Sequence, residues 1–123
     1  MTFPQLSVQT NIWLETEAGD VALSRWRLAL LEAVASSGSI SAAAQVMNIQ
    51  YRLAWNRIHE MEERLGIILV QTTVGGRGGG GARLTPEAEV FIQHLKSMFD
   101  AIDRSVQEQA VVHLQRLEKS LRK

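Results

Sequence analysis

The chain has 123 residues, 46% of them hydrophobic and 21% charged, with 13 basic and 13 acidic residues; this describes one ordinary globular domain, or a small domain with an appendage. Cysteine is absent, which removes disulfides, zinc fingers and thiol catalysis together. No apolar run reaches the roughly 18 residues of a membrane span and MTFPQLSVQTNIWLE has no basic start before an apolar stretch, so neither a membrane segment nor a leader is expected and the cytoplasm is the expected compartment.

Taken in order, residues 9–23 alternate at Ile12, Leu14 and Thr16, turn at Glu17-Ala18-Gly19-Asp20, and return through Val21-Ala22-Leu23, predicting a β-hairpin. Ser24 is a plausible cap for a helix over 25–36, with Trp26, Leu30 and Val34 on its core face and Gly38 suited to a left-handed end. Ser41 can cap a short second helix through Met47, where Ala42, Ala43 and Ala44 leave room for a close partner. Asn48 interrupts the pattern, and Gln50 or Tyr51 opens a third helix to about Leu65. Ala54, Ile58, Met61 and Leu65 form one stripe facing a core, which leaves Gln50, Tyr51, Arg52, Trp55 and Asn56 off it. A small-residue helix, a tight turn and a helix with polar and planar residues at its start read as a helix-turn-helix over 41–65.

Ile67 to Val74 is rich in β-branched residues and reads as a strand, followed by a loop of six glycines around Arg77 and a short return through Ala82-Arg83-Leu84-Thr85. Strand, glycine loop and strand over 67–85 make a wing. Thr85-Pro86, with Glu87 and Glu89 behind, starts a last helix cleanly, and neither proline nor glycine follows to Lys123. Phe91, Leu95, Met98, Ile102, Val106, Ala110, Leu114, Leu117 and Leu121 recur at steps of three or four. A three-helix domain cannot cover so long a stripe, so a partner helix in a homodimer is expected; the alternative is a helix that breaks near Ser105 and folds back. The expected fold class is mainly α: a winged helix-turn-helix DNA-binding domain over 1–85, with an N-terminal β-hairpin, then a long C-terminal dimerisation helix over 86–123.

The middle segment, 38–85, carries five arginines (52, 57, 64, 77 and 83) against Glu60, Glu62 and Glu63. Arginine suits bidentate contacts to guanine edges and phosphates, so the expected partner is double-stranded DNA. Arg52 is the best candidate for a base contact, with Gln50 and Asn56 also able to read base edges. Tyr51 and Trp55 can pack on thymine methyls or sugar, although Trp55 adjoins the core residue Ala54 and is nearly as apt to be partly buried. Arg57 and His59 serve phosphates or are merely solvated. Arg77 can enter a minor groove or neutralise a phosphate, and Arg83 can meet phosphate from the wing stem; the plainer reading of the loop is a flexible segment with a solvated arginine. The three glutamates read as an ordinary solvated helix face.

Other chemistries fit less well. Gly76 to Gly81 matches G-x-G-x-x-G, but so many glycines fit almost any glycine pattern, and no second parallel strand follows as a dinucleotide fold requires. His59, His94 and His113 have no metal-ligand spacing and no serine lies in a nucleophile elbow. No enzyme, catalytic residue, cofactor or metal is therefore expected. A winged-helix module that docks on another protein, with little DNA affinity of its own, remains the alternative.

GSISAAAQVMNIQYRLAWNRIHEME, the strand IILVQ and VGGRGGGGARLT before a long helix together resemble the N-terminal domain of the ModE-type molybdate-responsive regulators, from about Arg25 to Asp103. The GSIS-x-A-A start alone fits the LysR-type regulators as well; the glycine wing separates the two. The resemblance implies a winged helix-turn-helix, a dimer made through the long helix and a pseudo-palindromic operator. It places Gln50, Tyr51, Arg52, Trp55 and Asn56 on the recognition helix and Arg77 on the wing. Such regulators typically continue into molybdate-binding domains; the sequence through Lys123 leaves no residues for them, so a stand-alone member that binds no molybdate within this chain is expected.

Overall fold

A computed structural model describes residues 3–76 and 79–122. They form two compact units, Ile12–Gln93 and a second that joins the segment before Ile12 to His94 and the residues after it.

The first unit opens with a hairpin of β1 (Trp13–Glu15) and β2 (Val21–Ser24), paired antiparallel as Trp13↔Ser24 and Leu14↔Leu23. Gly19, at φ 88°, turns the chain, and Ala22 and Leu23, on opposite faces of β2, are both buried. Helix α1 (Arg25–Ser37) follows without a linker: Ser24 accepts a hydrogen bond from Arg27 N–H at 3.2 Å, and Gly38, at φ 83°, closes the far end by donating to the Val34 carbonyl. Its buried side chains are Leu28, Leu30, Leu31, Ala33 and Val34. Trp26 is not among them. The expected core tryptophan is 40% exposed, because it stands in the first turn, before the run of buried positions starts at Leu28.

Helix α2 (Ile40–Met47) starts two residues earlier than expected, capped by Ser39, whose hydroxyl accepts from Ala42 N–H at 2.9 Å, rather than by Ser41. Both serines suit a cap; starting at Ile40 places that side chain in the core at 4% exposure. Asn48 adopts a left-handed conformation (φ 55°, ψ 48°) and ends the helix. Helix α3 (Tyr51–Leu65) buries Ala54, Ile58 and Met61 and half-buries Leu65. Ala43 and Ala54 are fully covered and Ala44 nearly so, and their small size lets α2 and α3 approach closely. Leu23, Leu30, Leu31, Val34, Ile58, Met61 and Leu69 are the largest fully buried side chains.

The wing strands are β3 (Val70–Gly76) and β4 (Gly79–Leu84), antiparallel with Val70↔Leu84, Gln71↔Arg83, Thr72↔Ala82 and Thr73↔Gly81. The strand starts later than Ile67 because the residues before it are held by other partners. The Glu62 carboxylate accepts from Leu69 N–H (2.8 Å) and Val70 N–H (3.1 Å), while the Thr85 hydroxyl donates to the Ile68 carbonyl (2.8 Å). At its other edge β4 joins the α1–α2 turn through Ala82 N–H to the Gly38 carbonyl, 2.8 Å. At Gly81 the constraint is close approach rather than φ: an added Cβ would lie 3.2 Å from Thr73 Oγ1 and 3.4 Å from the Gly38 oxygen, a tight fit that asks Thr73 to give slightly. Thr85 then caps α4 (Pro86–Leu121), accepting from Ala88 N–H at 3.1 Å.

In the second unit α4 runs unbroken past Ser105, so the expected alternative of a fold-back is not what forms. The segment 3–11 has no regular structure and lies beside the helix: Thr10 Oγ1 donates to Asp103 Oδ1 (3.1 Å) and Gln107 Nε2 to the Val8 carbonyl (3.1 Å). Phe3, Leu6 and Val8 line one groove with Ala110, Val111 and Leu114. Met98, Ile102, Val112, Leu117 and Leu121 are exposed. Among the described residues no helix is long and apolar enough to cross a membrane.

Candidate nucleic-acid interface

With Ala54, Ile58 and Met61 turned into the core, the opposite side of α3 faces outward by helical geometry. Tyr51 and Trp55 are 53% and 42% exposed, and Arg52 and Asn56 are exposed beside them. These four line one shallow surface groove. Residues four apart share a helix face, so the groove runs between two ridges, aromatic at Tyr51 and Trp55, polar at Arg52 and Asn56. Gln50 stands exposed at the helix mouth in the N-cap position, its side chain making no cap hydrogen bond.

The aromatic ridge continues to His59. The His59 and Trp55 rings are stacked, with centroids 3.6 Å apart and planes 22° from parallel. His59 Nδ1 lies 2.8 Å from the Trp55 carbonyl oxygen; that oxygen can only accept, which puts the proton on Nδ1. Trp55 is therefore exposed but braced, and the i, i+4 spacing of two rings was the signal for it.

Of the two roles expected for Arg57, mere solvation is excluded: it pairs with the Glu60 carboxylate. Glu60 also pairs with Arg27 Nη2 at 3.2 Å and Arg64 Nη1 at 3.4 Å, tying α1 to α3. Arg27 donates further to the Arg57 carbonyl, and Arg64 to the Val21 carbonyl of β2. Burial pushes the Glu60 carboxyl up, but hydrogen bonds and charge from Arg27 and Arg57 outweigh it and hold the carboxyl below its ordinary value. Glu60 and Glu62 thus depart from the expected solvated face: one gathers three arginines, and the other, its side chain 11% exposed, holds the root of the wing. Only Glu63 of the three is plainly exposed.

On the wing, Arg83 is exposed on β4 opposite Gln71, while Arg77 lies outside the described residues. Among the described residues no group of three or more histidines, aspartates or glutamates could hold a metal ion.

Residues 26–89 match the family model of the bacterial regulatory helix-turn-helix protein, lysR family. The chain is 45% identical over 67 residues to the transcriptional regulator ModE of Yersinia pestis, and 46% identical over 67 residues to the DNA-binding transcriptional dual regulator ModE of Escherichia coli (strain K12). Each match covers 54% of this chain and 26% of the relative, so it spans about a quarter of the length of those proteins. Among solved structures the fold is similar to that in the crystal structure of the BenM_DBD/benA site 1 DNA complex, at a TM-score of 0.54 and 26% identity over 71% of this chain and 92% of that one.

Proposed function

The chain belongs to the lysR family of bacterial regulatory helix-turn-helix proteins, and on that premise we propose that it is a DNA-binding transcriptional regulator of the ModE type, reading a pseudo-palindromic operator as a homodimer. The observation that carries this reading is the shared exposure of Tyr51, Arg52, Trp55 and Asn56 along one groove at the start of the second helix of the helix-turn-helix. The start of that helix is the part that meets base edges when it lies in a major groove. Arg52 is assigned a guanine edge, Asn56 and Gln50 adjacent base edges, and Tyr51 and Trp55 apolar contact. Arg77 and Arg83 are assigned phosphate or minor-groove contact from the wing. Arg57 is assigned a phosphate contact through the guanidinium donors that Glu60 leaves open.

DNA reading is assigned to residues 1–85 and the pairing of two copies to the helix from Pro86. The exposed Met98, Ile102, Val112, Leu117 and Leu121 support the second assignment, because exposed apolar side chains along a charged helix are what a partner helix buries. Two-fold pairing predicts half-sites separated by one helical turn, roughly 34 Å, or a multiple.

The test is a fluorescence-anisotropy titration against an operator selected from a random pool and against random duplex, at two salt concentrations. Phosphate contacts require binding to weaken steeply with salt. Arg52→Ala is expected to narrow the preference for operator over random duplex by about 1–3 kcal/mol, the worth of a bidentate base contact. An unchanged preference would remove Arg52 from the base-reading set, and salt-independent binding would remove the DNA reading in favour of a protein-docking module.

A further inference from the structure

Resting on the reading of α3 as the helix that enters the groove, we propose that its aromatic ridge recognises the 5-methyl group of thymine. Trp55 makes the contact, Tyr51 flanks it, and His59 is the positioning residue behind it. Trp55 and Tyr51 are large side chains on the flank of α3 beside the core stripe, yet they are exposed, so this fold leaves them uncovered. The face of an indole has no hydrogen-bonding atom, and its one N–H donates at the ring edge. Among the groups that bases display in the major groove, the thymine methyl is the apolar one; the others are donors and acceptors. Arg52 and Asn56 line the same groove, so a hydrogen-bonding ridge and an apolar ridge lie side by side, matched to a guanine edge beside a methyl-bearing pyrimidine.

The stack with His59 makes the reader rigid. One face of the indole is covered by the imidazole at 3.6 Å, and the Nδ1 hydrogen bond to the Trp55 carbonyl pins that imidazole to the same turn. A side chain ordered before contact loses less rotamer freedom on binding. Arg52 and Trp55 are three residues apart, about 4.5 Å along the helix axis, and base steps are about 3.4 Å apart. The thymine therefore lies within about two base pairs of the guanine that Arg52 reads.

The experiment uses the full chain and the operator it selects from a random pool. Each thymine is replaced in turn by deoxyuridine, which removes the methyl and leaves the hydrogen-bonding edge unchanged. In each half-site one replacement is expected to weaken wild-type binding by about fourfold, the worth of one methyl at about 0.8 kcal/mol. In Trp55→Ala that penalty disappears, while the position where Arg52→Ala loses discrimination stays within two base pairs of it. Should Trp55→Ala lose helical circular dichroism, Trp55→Gln takes its place. His59→Ala is expected to shrink the deoxyuridine penalty at the same thymine, and a penalty as large as in wild type would remove His59 from the proposal. A wild-type protein indifferent to every methyl, yet still preferring its operator, overturns the methyl reading alone. A penalty of equal size with and without Trp55 overturns it too, and no preference for any operator overturns the base-reading function beneath it.

Discussion

Replacing Glu60 by glutamine should move stability and DNA affinity in opposite directions. The carboxylate meets Arg27 and Arg64 at 3.2 and 3.4 Å and Arg57 as well, with the four side chains between 11% and 36% exposed. Glutamine keeps an acceptor but cannot neutralise three guanidinium groups. Ion pairs this accessible are worth about 0.2–1 kcal/mol each, and Arg57, the most exposed, belongs at the low end, so Glu60→Gln should cost about 1–2 kcal/mol in all. Its carboxyl is held below the ordinary value of 4.5. A depressed carboxyl contributes stability above its unfolded pKa, and that contribution is lost as pH falls through the folded value. The gap between wild type and Glu60→Gln is thus full at neutral pH and closes as pH falls below about 4.5. On DNA the same substitution frees Arg57 and removes a negative charge from α3, so affinity for random duplex should rise and the slope of log K against log salt should steepen by up to about 0.9. Urea unfolding followed by circular dichroism at neutral and descending pH, with anisotropy at several salt concentrations, measures both. A gap that is absent at neutral pH, or that stays constant into acid, would show that the three-arginine cluster does not hold α1 to α3. Unchanged affinity for random duplex would show that Arg57 stays away from phosphate even when released.

Glu62→Ala should be the costlier change, because it leaves Leu69 N–H and Val70 N–H without their acceptor, at about 1–3 kcal/mol for a buried donor left unpaired such as Leu69 and less for half-buried Val70; Glu62→Gln should recover much of that in the same urea titrations, and an alanine variant as stable as wild type would refute the wing-root assignment. At Asn48, φ 55° favours glycine or asparagine, so Asn48→Ala should lower stability by about 1–2 kcal/mol while Asn48→Gly changes it little. Thermal melts of the two variants test this, and equal losses would mean that the left-handed turn is not what positions α3.

What the sequence makes legible here is local. Ser24, Gly38, Asn48, Thr85 and Pro86 punctuate the chain by mechanisms acting over one helical turn, and each ends or starts an element in the structure. The groove is legible in part for the same reason: once Ala54, Ile58 and Met61 are buried, helical geometry sends Arg52 and Asn56 outward and puts Tyr51 and Trp55 on the flank between. What was illegible depends on partners far along the chain. Nothing near Glu60 in sequence indicates Arg27, 33 positions earlier, and the helix-borne glutamates have the spacing of solvated i, i+4 pairs. Trp26 has a core residue's spacing, yet lies two residues short of where the buried run of α1 begins. Residues 3–11 have no periodicity at all, although Thr10 and Val8 meet Asp103 and Gln107 across more than 90 positions.

This division follows from what each kind of residue must do. A contact surface has to be exposed, so a helix exposes it by burying its other side, and the apolar period that records the burial also marks the exposed face. A supporting residue such as Glu62 is polar where a periodic reading calls for solvent, and its value lies in two backbone donors seven and eight residues on, at the start of a strand on a different element. A pattern of period 3.6 cannot encode such a partner. The same logic bears on Trp55. It breaks the rule that large apolar side chains seek cover, and it is stacked on one side as though the other face were kept for something outside the chain. A large aromatic residue left uncovered on the flank of an otherwise well-patterned helix is a conflict between local pattern and fold that stability does not explain, and such conflicts are where function is to be sought.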